Sequence, residues 1–202
     1  MSENLVIIFV KNVTLGKVKT RLAKSIGDDE AFNVYQYLFN ITESESLKVK
    51  NSDLHIYFSD KIIESVWPKK EKFIQSGNDL GERMMNAFEF GFKKGYKHII
   101  GIGSDLPDLK AELLDLAIKK LKTSDTVMGP SFDGGYYLIG MKKFMPFLFQ
   151  NKPWSENNLL KITAKEILQK GYSLDKLTLL NDIDNIEDLK NSSISKVFES
   201  LF

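Results

Sequence analysis

The sequence predicts an α/β protein built on a parallel, doubly wound sheet. Three observations carry that reading. Strand and helix patterns alternate along the chain. Two apolar runs, LVIIFV at residues 5–10 and the HIIGI that begins at His98, have the unbroken hydrophobicity of strands covered on both faces. The segments between them place apolar residues on single stripes at helical spacing. The second run ends in Gly103-Ser104-Asp105-Leu106-Pro107, which sets an acid at the carboxyl edge of the sheet, where open α/β folds hold ligands.

Bulk properties narrow the classes. A chain of 202 residues suits one domain, read here as a core over residues 1–141 followed by a less regular part over 142–202. With 43% hydrophobic and 27% charged residues it has the composition of a globular protein. A formal net charge of +1 gives no electrostatic argument for nucleic acid or membrane as partner. The absence of cysteine excludes a disulfide framework, a thiolate nucleophile and a Cys-based metal site. The opening MSENLVIIFV has too short an apolar run and no basic start for a signal peptide. The expected location is the cytoplasm.

In chain order, the first strand is followed by a loop over 11–19 that holds Gly16 and three lysines, then by a helical turn over 20–25. A helix spans 29–48, with Ala31, Val34, Tyr35, Leu38 and Ile41 on its apolar stripe and Asp28 or Asp29 as cap. Residues 53–59 form a strand, 61–66 a short helix ended by Trp67-Pro68, and 72–75 a weak strand. The helix over 80–95 is capped by Asn78 or Asp79 and closed by Gly95. After the central strand come a helix over 110–121, strands over 125–129 and 136–141, helices over 144–150 and 159–170, a strand over 177–180, and short helices over 186–190 and 194–201.

Four stretches could carry chemistry. The basic loop from Lys11 through Lys19 to Arg21 suits phosphate, held by backbone N–H groups and cationic side chains. It fits neither the Walker nor the dinucleotide glycine pattern, and taken alone it reads better as a solvated basic loop. Gly129-Pro130-Ser131-Phe132-Asp133-Gly134-Gly135 lies between two strands, and its paired glycines exceed what a hairpin turn needs. Asp182 and Asp184 flank Ile183 on an extended segment, so they face one side and could join Asp105 around a cation; the alternative is a helix cap before Ile186. Asp105 itself needs a partner if buried, such as a divalent cation carrying a nucleotide phosphate, or it caps the helix near Lys110. In Gln75 to Arg83, Gln75 at a strand end could read a base edge, and Gly81 in a first helical turn signals a close approach. His55 and His98 read as structural. The ring of Trp154 could stack on a sugar or anchor its loop.

Taken in order, VKTRLA at 18–23, Q-x-G-x-D-L-G-E-R-M at 75–84, GSDLP at 103–107, GPSFDGGYYLIGM at 129–141 and DIDNIEDL at 182–189 resemble the DUF2064 transferases, within the GT-A superfamily of nucleotide-diphospho-sugar transferases. Some members carry the label of arsenosugar-biosynthesis glycosyltransferase. The family's first loop usually has Pro where this chain has Thr14. The resemblance implies a GT-A fold, a Rossmann-like, mostly parallel sheet flanked by helices, with Mg²⁺ or Mn²⁺ on Asp105 and Asp184. It implies nucleotide contacts from Lys19, Arg21, Gln75 and Gly81, and the neighbouring Lys11, Arg83 and Ser104 are further nucleotide-binding candidates. It places Asp133, the candidate base, with Gly134, Gly135 and Trp154 toward the transferred group or acceptor.

The expected activity is metal-dependent glycosyl transfer from a nucleotide-sugar to a small-molecule acceptor. The alternative is a nucleotidyltransferase acting on a phosphorylated small molecule, since the Lys-Thr-Arg-Leu stretch also resembles phospholactate guanylyltransferases and the molybdenum-cofactor enzymes share the layout. A third reading is a nucleotide-binding module without catalysis. The apolar ends Val197-Phe198 and Leu201-Phe202 would dock on the core or on a second subunit of a homodimer.

Overall fold

The two apolar runs lie side by side in the middle of the sheet, as β1 (Asn4–Val10) and β4 (His98–Ile102), paired in parallel. The structure, a computed structural model, describes residues 2–202. β2 (Asp53–Phe58) and β3 (Glu71–Ile74) extend the sheet in parallel on the β1 side. On the β4 side stand β6 (Tyr136–Met141), β5 (Thr126–Pro130) and β7 (Leu174–Lys176), giving a seven-stranded sheet in the order β3-β2-β1-β4-β6-β5-β7. Only β6 is reversed, antiparallel to both β4 and β5, while β5 and β7 are parallel. The sheet is therefore mixed and mostly parallel. The segments that leave β1, β4, β5 and β7 all emerge at one edge.

The alternation of the doubly covered strands sorts the core into two layers. Val6, Ile8, Val10, Ile100 and Ile102 face α2 (Asp28–Ser46) and α4 (Ala111–Leu121), whereas Leu5, Ile7 and Ile99 face α3 (Leu80–Lys93) and α5 (Leu159–Gln169). A third cluster joins α1 (Thr20–Ile26), α2 and α6 (Ile186–Lys190) through Leu22, Val34, Leu38, Ile183 and Leu189. Phe198 and Leu201 pack against this cluster and dock the C-terminus on the chain's own core, whereas Val197 and Phe202 stay exposed. Among the described residues, no helix is long and apolar enough to cross a membrane.

Several local expectations are corrected. α2 starts at Asp28 after Gly27 and has no side-chain cap, so neither aspartate serves as one. Residues 61–66 form no helix. The Asn12 side chain takes over the exit of β2 instead: its Oδ1 accepts from Asp60 N and Lys61 N, and its Nδ2 donates to Lys61 O. Trp67, fully buried, draws the segment under α2 and donates its indole N–H to Ser46 Oγ. The last strand is Leu174–Lys176 rather than 177–180. The register of its partner shifts at Gly129/Pro130, so regular pairing stops, and only single bonds such as Leu177 N to Met128 O and Leu180 N to Pro130 O continue. A 3-10 turn, Pro146–Leu148, stands where the pattern predicts a helix over 144–150. Ser195–Leu201 is likewise 3-10, kinked at Phe198.

Trp67→Ala should lower stability by about 3–5 kcal/mol through the cavity it leaves, measured by urea denaturation of the whole chain.

Candidate active site

A cleft of about 540 Å³ opens at the edge where β1, β4, β5 and β7 end, a size that suits a small organic ligand. The loop after β1 supplies Lys11, Lys19 and Arg21; the turn after β4 supplies Ser104 and Asp105; the β5–β6 connection supplies Asp133 and Gly135; the segment before α6 supplies Asp182 and Asp184.

The densest charge in the cleft is centred on Lys19. Its side chain is only 7% exposed, and its Nζ lies 3.1 Å from Asp105 Oδ2 and 3.5 Å from Asp184 Oδ1. Arg21, on the open side, reaches Asp184 Oδ2 at 3.3 Å. Burial works against the ammonium charge, but Asp105, Asp184 and Asp182 together outweigh it and raise the Lys19 pKa above the ordinary lysine value. The backbone at Lys19 is left-handed, with φ 47°, as the loop turns into α1. That conformation costs a non-glycine residue about 1–2 kcal/mol and persists where its surroundings hold it.

Two elements bring the acids together. The Ile183 N–H donates to Asp105 O at 3.3 Å, and the Ile183 side chain is fully buried in the third cluster. Asp182 and Asp184 then flank it and face the cleft. Helix capping is done elsewhere: α6 is capped by Asn185, whose Oδ1 accepts from Glu187 N and Asp188 N, and the N-cap of α4 is Lys110 with no side-chain cap bond. Asp184 and Asp105 are thereby left to the cleft. One oxygen from each of Asp105, Asp182 and Asp184 lies within 4.8 Å of the others. Such a set of anionic oxygens fits a hard divalent cation such as Mg²⁺ or Mn²⁺. Asp182 thus lies with Asp105 and Asp184, as its spacing from Asp184 leads one to expect. In the fold, burial first, and then the charges of Asp105 and Asp133, push its carboxyl up to about 7.

The Asp133-Gly134-Gly135 turn is locked from both sides. Asp133 Oδ1 accepts from Ser131 Oγ and from Gly135 N, the latter at 2.8 Å, and among the described residues Oδ2 has no hydrogen-bond partner. Gly134 has φ 88°, and a methyl group there would lie 1.9 Å from Asn157 O. Gly134 does not line the cleft; its close approach is to the 154–160 segment, reinforced by Leu160 N donating to Gly134 O. Gly81 also lies outside the cleft wall. A methyl group on it would sit 2.4 Å from Phe149 O and 3.0 Å from Trp154 Nε1, so it makes room for the chain that carries Trp154, which does line the cleft.

At the opposite end, Gln75 joins two strand ends, donating Nε2 to Val10 O at 3.1 Å and Tyr57 O at 2.9 Å. Two carbonyl partners fix the amide so that only Oε1 remains to meet a ligand. Arg83 lines the cleft with its Nε tied to Gly77 O. Ser104 is buried, its Oγ 2.8 Å from Tyr35 OH, and the same phenol donates to Lys11 O and accepts from Lys11 N. Tyr35 thus links α2, the basic loop and the end of β4. Its place on an apolar stripe disguised it as core, although a buried phenol usually has a hydrogen-bond partner.

The mostly parallel α/β sheet, with bases and carboxylates gathered at its carboxyl edge, matches the fold of nucleotide-diphospho-sugar transferases and cytidylyltransferases. A family model described as an uncharacterized protein conserved in bacteria, DUF2064, matches residues 46–156, more than half of the sequence. The chain belongs to that family. It is similar over 100% of its length to 97% of a protein from Desulfovibrio desulfuricans G20 that carries the provisional designation nucleotide-diphospho-sugar transferase, at 32% identity and a TM-score of 0.90. More distant likenesses, which concern the fold alone, are CMP:2-keto-3-deoxy-manno-octonic acid synthetase complexed with CTP (9% identity, 100% of both chains, TM-score 0.58) and a cytidylyltransferase from Leptospira borgpetersenii serovar Hardjo-bovis (15% identity, 97% of this chain and 88% of that one, TM-score 0.57). No curated protein matches the sequence.

Two outcomes follow from this geometry. Because the folded Asp182 takes up a proton more readily than the unfolded chain, its contribution to stability is complete below about pH 4 and is lost as the pH rises to about 7. In chelator, Asp182→Asn should abolish that decline and exceed the wild type at pH 8 by about 1–2 kcal/mol, after allowance for partial solvent access, as read by urea melts across pH. Gly134→Ala should cost about 1–3 kcal/mol in the same assay, since the added methyl meets backbone rather than a movable side chain.

Proposed function

We propose that the protein is a divalent-cation-dependent transferase that takes a sugar from a nucleotide-sugar and passes it to a small-molecule acceptor. The observation that carries this is the convergence of Asp105 and Asp184 on Lys19, with Arg21 beside them, at the mouth of a cleft of ligand size. The likeness to the Desulfovibrio protein supports the choice of donor.

Asp105 and Asp184 would hold Mg²⁺ or Mn²⁺, which when bound supplies positive charge against the departing diphosphate. The chain's own residues do the rest. Lys19 and Arg21 add cationic hydrogen-bond donors for phosphate oxygens, and the burial of Lys19 strengthens its contact. Tyr35 and Ser104 hold the Lys11 backbone in place at the start of the basic loop. Gln75 and Arg83 offer an acceptor and a donor to the base. Asp133 keeps its turn folded with Oδ1 and turns Oδ2 to the acceptor hydroxyl as base. The Trp154 ring forms the wall that excludes water from the transferred sugar.

A second reading, nucleotidyl transfer to a phosphorylated small molecule, draws on the pairing of Asp105 with Asp184 from separate segments. In-line displacement at phosphorus rests on cations and basic groups set around the phosphates.

Melting curves with UDP-, GDP- and ADP-sugars and with nucleoside triphosphates, each with and without Mn²⁺, separate the two. A nucleotide-sugar at a hundredfold over its Kd should raise Tm by roughly 5–10 °C in Mn²⁺ only. Stabilisation by triphosphates alone would support the second reading. Asp105→Asn should remove the metal dependence and lower turnover by about 100-fold or more; an unchanged response would refute the assignment of Asp105.

A further inference from the structure

We propose that Lys19 is a resident counter-ion that reserves the acid cluster for a cation delivered as the chelate of a pyrophosphate-bearing nucleotide, and so selects against free metal. The inference rests on the reading of Asp105 and Asp184 as cation ligands.

The ammonium occupies the position that matters. Its Nζ bridges Asp105 Oδ2 and Asp184 Oδ1, the two carboxylates a divalent ion would share. The carboxylates are 38% and 42% exposed, whereas the lysine is 7% exposed, so the acids open to the cleft with the ammonium behind them. A cation entering from the cleft must approach this fixed positive charge and compete with it for the same oxygens.

Charge balance points the same way. Asp105 and Asp184 already face Lys19 and Arg21, two carboxylates against two cations. A bare divalent ion would meet oxygens already paired with those two cations. Its chelate with pyrophosphate brings compensating anionic oxygens, which also give Lys19 somewhere to go.

Among the described residues, the hydrogen bonds of Lys19 Nζ run to Asp105 and Asp184, the same two acids a cation would take. Its backbone is held at the turn into α1, where Ala23 N donates to Lys19 O. Only the side chain can move, by rotating from carboxylate to phosphate. Arg21, with its side chain 66% exposed, imposes no such condition. The selection is negative as well as positive, because the unsuitable ligand is rejected by an existing like charge.

Equilibrium dialysis of Mn²⁺ against the full chain tests this without any assay of turnover. The arms are Mn²⁺ alone and Mn²⁺ with inorganic pyrophosphate, counting metal on the protein side above that held by pyrophosphate. Lys19→Met should bind Mn²⁺ alone about tenfold or more tighter than the wild type. Pyrophosphate should raise retention by the wild type about tenfold and by Lys19→Met about twofold at most. Lys19→Gln should move in the same direction, with melting curves verifying that each variant is folded. Equal or weaker binding of Mn²⁺ alone by the folded variants overturns the proposal and leaves the metal reading standing. Retention by none of the proteins in either arm overturns both.

Discussion

One buried ammonium among carboxylates organises this molecule. Asp105 and Asp184 lie 86 and 165 positions from Lys19 along the chain, and without a cation between them their mutual repulsion in a partly buried site would be costly. Lys19 supplies that cation, and the backbone bond from Ile183 to Asp105 fixes where the second acid segment runs. The sheet makes this possible, because its parallel strands deliver the basic loop, the turn after β4 and the segment before α6 to one edge. Charge at that edge and packing beneath it are thus a single arrangement: Ile183 is buried among α1, α2 and α6 while its neighbours stay in the cleft.

Much of this was legible from residue patterns, for identifiable reasons. LVIIFV and HIIGI announced central strands because burial on both faces leaves no polar alternation to obscure them. The Asp182-Ile183-Asp184 spacing correctly placed two acids on one side, since extended backbone alternates strictly. The failures came where distant residues decide local structure. Residues 61–66 have a helical pattern, but Asn12 and Trp67 claim that segment. The strand expected at 177–180 moved to Leu174–Lys176, because the irregularity in β5 lies on the partner strand.

The glycines show the same limit more sharply. Gly81 and Gly134 each marked a close approach, and each approach exists. The object approached is backbone, Phe149 O in one case and Asn157 O in the other, rather than a ligand. Residue type reports that space is scarce without saying what fills it. Both glycines nonetheless act on the cleft at one remove. Gly81 seats the chain bearing Trp154, and Gly134 clamps the turn bearing Asp133 to the segment that follows. Tyr35 is the complementary case, a polar group hidden in an apolar stripe whose partners only the folded chain reveals.

The reversal of β6 has a consequence for how such a cleft diversifies. A parallel crossover ties each loop to a helix on the far side of the sheet, so lengthening the loop disturbs a whole layer. The β5–β6 connection is instead a hairpin closed by its own short bonds, Ser131 N to Gly135 O and Gly134 N to Ser131 O. Insertions at its tip, where Phe132 stands 67% exposed, leave both strands in register. That side of the rim can thus lengthen at Phe132 while the Asp133 bonds and the Gly134 clamp stay in place, and the side bearing the basic loop and carboxylates stays bound to the architecture beneath it.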